Sequence, residues 1–427
     1  MNEVGSSKPN ADPTDVFGSI DDLDCRGRRV FLRVDPYLID SLGVAPAASL
    51  GPAASPQVGL EASLPGAASP LSSLRRLLEL EARVIVGTHL SAEAIAETGL
   101  DSIEALASRL SERLEVEVLM PDECAGDAAA RVLKELRQGQ LCVLPDLLTT
   151  SGGGEQRNDE AFARALATAA DAYVSDAFAA SHLEYASLVR LPKLLPRRAL
   201  GYRARRELTV LSRVFALNRG SVALCVGGQT FSEKIDVLTA WLPRVDKVCV
   251  GGGVAMTLLA AAGQATSDAG AELDRLAQAR SLLGRARDLG VELILPVDLR
   301  VQARGEADTR LVSPLRVPAG ARLIDVGPET MSRFGEVLAK ARHLLWWGPM
   351  GNLKHSQGSV ASEWLARLCA SPDIMSVVLG GDTRRFVRQL PPEIENGIDL
   401  VSTGSSAAKA LLGGRRLPGI EALRTRH

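Results

Sequence analysis

Aromatic residues, histidines and long apolar runs are scarce in this sequence, and each scarcity excludes a class of function. Phe, Trp and Tyr together make up 4% of the 427 residues, which is too few for base-stacking platforms that bind single-stranded nucleic acid. The five histidines are too dispersed to indicate a zinc site. No apolar run reaches the roughly 18 residues of a membrane-spanning helix, and the N-terminus is polar rather than signal-like. The sequence therefore predicts a cytoplasmic protein that binds neither membrane nor nucleic acid.

The six cysteines show no CxxC spacing, and most of them lie within or beside apolar runs. Cys142 stands in LCVLP and Cys225 in ALCVGG, which favours buried, reduced thiols over a metal site or a disulfide framework. The formal net charge of −2 gives the chain no bulk attraction to nucleic acid or to an acidic membrane. A hydrophobic content of 46% is typical of a globular protein, and 427 residues suit two or three domains.

Short apolar runs rich in β-branched residues alternate with longer stretches of helical periodicity. The predicted strands lie at 28–34, 82–88, 116–121, 140–145, 172–178, 221–228, 246–253, 291–298, 343–349 and 375–381. The predicted helices include 71–81, 160–170, 232–242 and 361–370. Strands that are apolar throughout and alternate with helices predict parallel sheets covered on both faces. Roughly a dozen strands are too many for one ordinary sheet, so the predicted fold class is α/β with two doubly wound, Rossmann-like domains.

The boundaries of these two domains follow from one segment between the two strand series. A charged stretch with helical spacing predicts an interdomain helix at 201–219. The N-terminal domain is then expected to span 1–200, completed by 403–427, and the C-terminal domain to span 220–402.

Two segments are predicted to be solvated. Residues 43–70 are rich in Ala, Ser, Pro and Gly, and cannot bury enough apolar surface to offset the entropy of ordering, so they predict a flexible loop. Glu155, Asp159 and Glu160 indicate a solvated loop followed by a helix start.

Several predicted strands of the second half end in glycine. They read VGG at 226–228, GGG at 251–253, DVGP at 325–328, WGPMG at 347–351 and LGGDT at 379–383. Glycine at the carboxyl end of a parallel strand lets the backbone approach a ligand, and a helix that begins there points N–H groups at a phosphate. One such end is usually a plain turn, but five along one sheet edge predict a nucleotide or another phosphate ligand. Asp382 is expected to cap a helix or to contact a metal–phosphate complex.

Taken in order, these motifs resemble those of the phosphoglycerate kinase family. The series GGxxxSEKI, GGG, LPVD, DVGP, WWGPMG, GGDT and STG resembles the nucleotide domain of that family. FLRVDPYLID, VGTHL and YVSDAFAASHLEYAS resemble motifs of its substrate domain, and GIEAL resembles its closing motif. The resemblance covers essentially the whole chain, and it implies the phosphoglycerate kinase fold with a hinge between its two domains.

The resemblance implies a glycolytic phosphotransferase that uses ATP and a carboxylate acceptor, 3-phosphoglycerate, and works as a monomer. The cofactor that it implies is Mg·ATP or Mg·ADP, with Asp382 near the metal and Lys234 as a catalytic group. The acceptor-binding residues that it implies are Arg33, Asp35, His89 and His182. The nucleotide-binding residues that it implies are Gly227, Gly228, Gly251, Gly252, Gly253, Gly327, Pro328, Pro349, Gly380, Gly381, Asp382 and Thr383.

Four acceptor-site arginines of that family are missing here. Ala92, Leu148 and Leu183 stand at three of these positions, and Gly66 matches the position of the catalytic arginine. Tyr37 stands in place of a substrate-binding asparagine. A charge-assisted hydrogen bond contributes about 1.5–3 kcal/mol, so four lost contacts weaken the binding of 3-phosphoglycerate by roughly 6–12 kcal/mol.

The nucleotide side departs from the family pattern as well. Thr230 replaces a phosphate-binding lysine, Trp347 replaces an asparagine, and Lys354 replaces the glutamate that holds the ribose. Ser405 and Ser406 replace two glycines. Because the glycine pattern is otherwise kept, the sequence predicts a nucleotide-shaped cleft that lacks part of its side-chain chemistry.

Three functions remain open. The first is a homologue in which the family activity is lost or strongly reduced, with a role as a binding or regulatory partner of another protein. The second is a phosphotransferase on the same fold that uses a different carboxylate acceptor. The third is a working phosphoglycerate kinase in which Arg157, Arg190 or Arg203 compensates for the missing arginines. Turnover of 3-phosphoglycerate and a nucleotide-induced rise in melting temperature distinguish them.

Overall fold

The computed structural model describes residues 14, 16–35, 37, 71–217, 219–265 and 269–424, so the loop predicted at 43–70 lies outside the described residues. The chain divides into two compact units, Met1–Ser212 together with Arg416–His427, and Arg213–Arg415. Residues 403–415, which the sequence assigns to the N-terminal domain, belong to the second unit. Among the helices of the described ranges, none is both long and apolar enough to cross a membrane.

The first unit alternates strands and helices, as the sequence predicts. Its strands are β1 Arg29–Val34, β2 Arg83–Gly87, β3 Val118–Leu119, β4 Leu141–Val143, β5 Ala172–Asp176 and β6 Arg197–Leu200. Its helices are α1 Ser72–Glu79, α2 Ala92–Thr98, α3 Ile103–Leu114, α4 Asp127–Glu135, α5 Glu160–Thr168 and α6 Leu191–Leu194. The helix α7, Tyr202–Ala216, contains the boundary between the units.

The first sheet has the strand order β3-β4-β2-β1-β5-β6, and every pairing in it is parallel. Its central strands are buried along almost their whole length, which explains why they are apolar throughout rather than alternating. The chain builds outward from β1 on one side and then returns to its other side with β5. The carboxyl ends of β1 and β5 therefore form a switch point, where α/β sheets generally bind ligands.

The second unit contains a second six-stranded sheet and a small additional one. Its strands are β7 Val222–Val226, β8 Lys247–Val250, β9 Glu292–Ile294, β10 Leu299–Gln302, β11 Thr309–Val312, β12 Arg322–Val326, β13 His343–Trp347, β14 Met375–Leu379 and β15 Leu400–Val401. Its helices after α7 are α8 Ile235–Trp241, α9 Gly252–Ala261, α10 Leu276–Asp288, α11 Pro328–Leu338, α12 Val360–Cys369, α13 Gly381–Gln389, α14 Pro392–Gly397 and α15 Ser405–Leu412. The short helix α16, Pro418–Glu421, belongs to the first unit.

The larger sheet of the second unit is parallel, with the order β15-β14-β13-β7-β8-β9 and a switch point between β7 and β13. Strands β14, β13, β7 and β8 are neighbours, so four of the five glycine-ended strands meet at one edge. The fifth, β12, pairs antiparallel with β10 in the separate sheet β11-β10-β12, so the expectation of five glycine ends along one edge is wrong. The predicted fold class of two doubly wound α/β domains is confirmed.

Candidate functional site

The predicted acceptor-binding residues lie at the carboxyl edge of the first sheet, which we call the acceptor edge. Arg33 near the end of β1 is in register with Gly87 at the end of β2, so the two strands end at the same level. Asp35 follows β1, His89 follows β2, and His182 lies on the loop after β5. Sheet topology thus brings together residues that are far apart in sequence.

Arg33 is a core residue with 0% exposure. Its Nε donates to Ser187 Oγ at 2.9 Å, and its Nη1 donates to the carbonyl oxygen of Val34 at 2.6 Å. Its Nη2 lies 2.5 Å from His89 Nδ1 and 3.8 Å from a carboxylate oxygen of Glu155, which is also fully buried. These contacts satisfy the guanidinium inside the protein. Glu155, expected in a solvated loop, is the buried acid of this network.

His89 stands at this edge as a neutral imidazole. Burial is the main cause that lowers the pKa of His89 to about 3, with smaller contributions from the charges of Arg33 and His182. Because a guanidinium can only donate, His89 Nδ1 accepts from Arg33 and the ring proton lies on Nε2. The ring packs edge-on against Tyr185, with the centroids 5.7 Å apart. His89 can therefore donate a hydrogen bond, but it supplies no positive charge near pH 7.

Asp35 fastens the loop that carries His182. Its carboxylate accepts from the backbone N–H groups of Ala179 at 2.7 Å and Ala180 at 3.1 Å. Burial is the main cause that raises the pKa of Asp35 to about 6. His182 is half-buried, and its Nδ1 donates to the carbonyl oxygen of Ala179 at 2.9 Å. Asp35 and His182 thus hold the shape of the loop next to the acceptor edge.

The positions without arginine serve local structure. Ala92 begins α2, and the backbone N–H of Leu148 donates to a carboxylate oxygen of Asp146 at 2.8 Å. Leu183 packs against a small apolar cluster on the loop after β5. Tyr37 is 8% exposed, and Gly66 lies outside the described residues.

The three proposed compensating arginines are held by other groups. Arg157 is exposed and donates to a loop carbonyl oxygen at 3.2 Å. Arg190 is exposed and contacts a carbonyl oxygen and the carboxylate of Glu160. Arg203 is half-buried, its Nη1 donates to the carbonyl oxygen of Tyr37 at 3.3 Å, and its charge lowers the pKa of Asp35. Of these three, Arg203 is therefore the candidate placed near the acceptor edge.

In the second unit, the glycine-rich loops pack backbone against backbone. A Cβ at Gly252, whose φ is +61°, would lie 2.4 Å from the carbonyl oxygen of Gly228. A Cβ at Gly348, whose φ is +89°, would lie 2.4 Å from the carbonyl oxygen of Gly227. The same crowding by backbone holds for Gly227 and Gly253, and a Cβ at Gly251 would lie 2.8 Å from Met350 Sδ and 3.0 Å from the carbonyl oxygen of Met350. These glycines are required by the packing of one loop on another, whether or not a ligand approaches.

Gly327 and Pro328 follow β12, outside the parallel sheet. A Cβ at Gly327 would overlap the carboxylate of Asp298, which accepts from the backbone N–H of Glu329 at 3.0 Å and of Thr330 at 2.8 Å. Pro328 is the first residue of α11, where its missing N–H costs no helical hydrogen bond. This pair therefore shapes a helix start.

Lys234 lies over an indole ring. Its Nζ is 5.0 Å from the ring centroid of Trp347 and 3.7 Å from a carboxylate oxygen of Glu233. Its side chain is 11% exposed, and burial is the main cause that lowers the pKa of Lys234. A Cβ at Gly380 would lie 3.3 Å from the indole, so Trp347 fills the space beside that glycine. The indole therefore gives Lys234 a cation–π contact.

A cleft of about 530 Å³ opens in the second unit beside Pro349 and α13. Of the residues predicted to bind nucleotide, Pro349 and Asp382 line it; Thr383 instead accepts from the backbone N–H of Gly348 at 3.1 Å. Asp382 contacts Arg385 one turn further along the helix. The lining of the cleft also includes Gln229, Lys354, His355 and Arg385. Sequence reasoning missed Gln229, His355 and Arg385; the available signal for Arg385 was its i+3 spacing from Asp382.

Asp382 is the donor that could approach a metal in this cleft. No group of three His, Cys, Asp or Glu side chains within the described ranges could hold an ion by itself. Proteins often hold Mg²⁺ with one or two carboxylates together with the phosphates of a substrate, and a single carboxylate suits that arrangement.

All six cysteines are buried and free, which confirms the prediction of buried thiols.

Comparisons with known proteins agree with this architecture. The family profile described as "Phosphoglycerate kinase" matches residues 67–415. Phosphoglycerate kinase of Anaeromyxobacter dehalogenans is 33% identical over 410 residues, which cover 95% of this chain and 98% of the relative. That of Pelotomaculum thermopropionicum is 32% identical over 408 residues, with the same two coverages. The structure of phosphoglycerate kinase from Coxiella burnetii superposes with a TM-score of 0.75 at 26% identity, covering 95% of this chain and 98% of that chain. The chain therefore belongs to the phosphoglycerate kinase family.

Proposed function

We propose that this chain keeps the nucleotide-binding scaffold of the family but has lost, or strongly reduced, the phosphorylation of 3-phosphoglycerate. The observation that carries the proposal is the acceptor edge of the first unit. The guanidinium of Arg33 is fully enclosed there, and Ala92, Leu148 and Leu183 stand where the family has arginines. Phosphoryl transfer depends on positioning and on neutralising negative charge, so an acceptor that carries both a phosphate and a carboxylate lacks its cations.

We also propose that the second unit binds Mg·ATP or Mg·ADP. Four glycine-ended strands meet at one edge, α13 begins there, and a cleft of suitable size lies beside it. We assign Asp382 to the metal side of the nucleotide, and we retain Lys234 as the catalytic group that the family resemblance implies. A chain that binds nucleotide without transferring phosphate to 3-phosphoglycerate is suited to a regulatory role toward a protein partner. The six buried, free thiols suit the reducing cytoplasm.

A different carboxylate acceptor is the second candidate, and two groups favour it. His89 presents a neutral Nε2–H, and Arg203 lies near Asp35. One neutral donor and one cation suit a carboxylate that carries no phosphate.

A coupled assay with 3-phosphoglycerate and Mg·ATP tests the proposal, with the phosphoglycerate kinase of Anaeromyxobacter dehalogenans assayed in parallel. We expect kcat/KM at least about 10³-fold below that of the relative, because the roughly 6–12 kcal/mol of lost contacts greatly exceeds the 1.4 kcal/mol of each tenfold step. The variant Lys234→Ala serves as the control for a contaminating kinase, whose activity it would leave unchanged. Turnover within tenfold of the relative would overturn the proposal.

Melting temperature with ADP or ATP tests the nucleotide part separately. A rise in melting temperature without turnover supports the proposal that the nucleotide-binding scaffold is kept. Assays with other carboxylates as acceptors then test the second candidate function. If millimolar nucleotide leaves the melting temperature unchanged, the nucleotide assignment is wrong.

A further inference from the structure

We propose that Lys354 and Arg385, two side chains that the family motifs do not provide, are the pair that contacts the phosphates of the ligand in the cleft of the second unit. The inference rests on the proposed function, since it concerns the same cleft.

The two cations face one cleft from different elements. Lys354 lies on the segment after β13, Arg385 lies on α13, and both line the cleft of about 530 Å³. Ligand sites usually measure about 300–1,000 Å³, so this volume suits a nucleotide-sized molecule. Both side chains are exposed, which leaves them accessible to a ligand.

The charges of the cleft lining do not balance. Asp382 contacts Arg385, whereas no carboxylate of the described residues forms an ion pair with the Lys354 ammonium. The backbone N–H of Lys354 donates to Asn352 Oδ1 at 3.2 Å, which holds the segment but not the charge. Two cations and one carboxylate give the lining a net positive charge, and this favours an anionic ligand.

Lys234, the cation that the sequence singles out, does not line this cleft. Its ammonium lies over the Trp347 ring and near Glu233, and the side chain is mostly buried. The accessible positive charge of the cleft therefore comes from Lys354 and Arg385.

Arg385 can leave the carboxylate of Asp382 when a phosphate binds. Its contact with Asp382 joins side chains that are 43% and 66% exposed, and ion pairs of that kind are weak. A phosphate accepts two parallel hydrogen bonds from a guanidinium and so competes well for Arg385. The displaced carboxylate of Asp382 then faces the phosphate and repels it, unless a divalent cation binds between them. Phosphate binding and Mg²⁺ binding at this cleft are therefore expected to strengthen each other.

Isothermal titration of the full chain with pyrophosphate, ADP and adenosine tests the pair. We expect ADP and pyrophosphate to bind at least about tenfold more tightly than adenosine. Lys354→Ala and Arg385→Ala should each weaken both phosphorylated ligands by roughly 10- to 100-fold, the value of one charge-assisted contact. Lys340→Ala, an exposed lysine just after α11, is the matched control and should change affinity less than twofold.

Asp382→Asn distinguishes partner exchange from a structural ion pair. Without divalent cations this variant should bind pyrophosphate several-fold more tightly than the wild type. Added Mg²⁺ should raise the pyrophosphate affinity of the variant less than that of the wild type. If ADP binds but Lys354→Ala and Arg385→Ala leave its affinity unchanged, the role proposed for these two residues is wrong, although the second unit still binds nucleotide. The same conclusion follows if adenosine binds as tightly as ADP. If none of the three ligands binds the wild type, the scaffold proposal fails as well.

Discussion

The two units share one architecture but close the functional edge of their sheets in different ways. In the first unit charged side chains fill the edge, with Arg33 enclosed by Glu155, Ser187 and His89. In the second unit bare backbone fills the edge, since the loops after β7, β8 and β13 touch through their glycines, and an open cleft remains beside them. The difference is that the charged groups at the first edge are satisfied inside the protein, whereas the second edge leaves exposed polar and charged side chains around a cleft.

The tryptophans allow this comparison to be tested one unit at a time. Trp241, Trp346, Trp347 and Trp364 all belong to the second unit, and the first unit contains no tryptophan. Tryptophan fluorescence therefore follows unfolding of the second unit, whereas amide hydrogen exchange of β1, β2 and β5 follows the first.

Removal of the enclosed arginine should have the largest effect. Arg33→Leu leaves the buried Glu155 carboxylate without its cation and His89 Nδ1 without its hydrogen-bond donor, and breaking a buried ion pair typically costs about 3–5 kcal/mol. We expect the free energy of unfolding of the first unit to fall by about that amount, measured by hydrogen exchange. Arg157→Leu, at an exposed position of the same unit, should change it by less than about 0.5 kcal/mol. Equal effects of the two substitutions would contradict the enclosed network.

The second unit should lose stability as the pH rises. Burial is the main cause that raises the pKa of Asp325 from 3.8 to about 7, although its carboxylate accepts from the N–H groups of Ala361 and Val326. The folded state thus holds this proton more tightly than the unfolded state. The contribution of this proton to the free energy of unfolding is on the order of 3 kcal/mol. It is fully present below about pH 4 and is lost as the pH rises through 7. Urea unfolding followed by tryptophan fluorescence measures it.

Asp325→Asn should flatten this profile between pH 4 and 7.5. Asp308→Asn, at an exposed acid of the same unit, is the control and should leave the profile unchanged. A wild-type profile that rises toward pH 7 with the same slope as that of Asp325→Asn would refute the assignment.

His89 gives the first unit the opposite pH dependence. Its pKa is lowered from 6.5 to about 3, so its contribution is present above pH 6.5 and is lost as the pH falls toward 3. Because Asp35 titrates in the opposite sense over part of this range, the quantity to compare is the difference between His89→Gln and the wild type. We expect that difference to shift by roughly 2–3 kcal/mol in favour of the variant between pH 7 and 4, measured by hydrogen exchange. A difference that does not vary with pH would mean that His89 keeps its ordinary pKa.

The smallest expected effect separates two glycines. Gly252→Ala places a Cβ 2.4 Å from a backbone carbonyl oxygen at a positive φ, whereas Gly263→Ala, also at a positive φ, meets open space. The first change should destabilise the second unit by roughly 1–3 kcal/mol more than the second, because it adds a clash to the same kind of backbone strain. Tryptophan fluorescence during urea unfolding measures both variants, and equal losses would mean that the loops after β7 and β8 do not require close packing.

Sequence periodicity was sufficient for the fold class but not for the environment of single residues. Apolar runs and helical spacing predicted the alternation of elements, because burial of both faces of a parallel sheet demands them. The same reasoning assigned Glu155 to solvent, yet the residue is fully buried, since its partner Arg33 lies more than a hundred positions away in the chain. It also aligned the DVGP strand with the parallel sheet, because local sequence does not reveal which strand pairs with which.

By itself, the sequence determined the two-domain α/β class, the family resemblance and the absence of arginine at Ala92, Leu148 and Leu183, because each is a property of residue type and order. Tertiary structure alone decided that Arg33 is enclosed and that Lys354 and Arg385 share a cleft with Asp382. The physical reason is that burial and charge pairing depend on distances between residues far apart in sequence, and only the packed chain sets those distances.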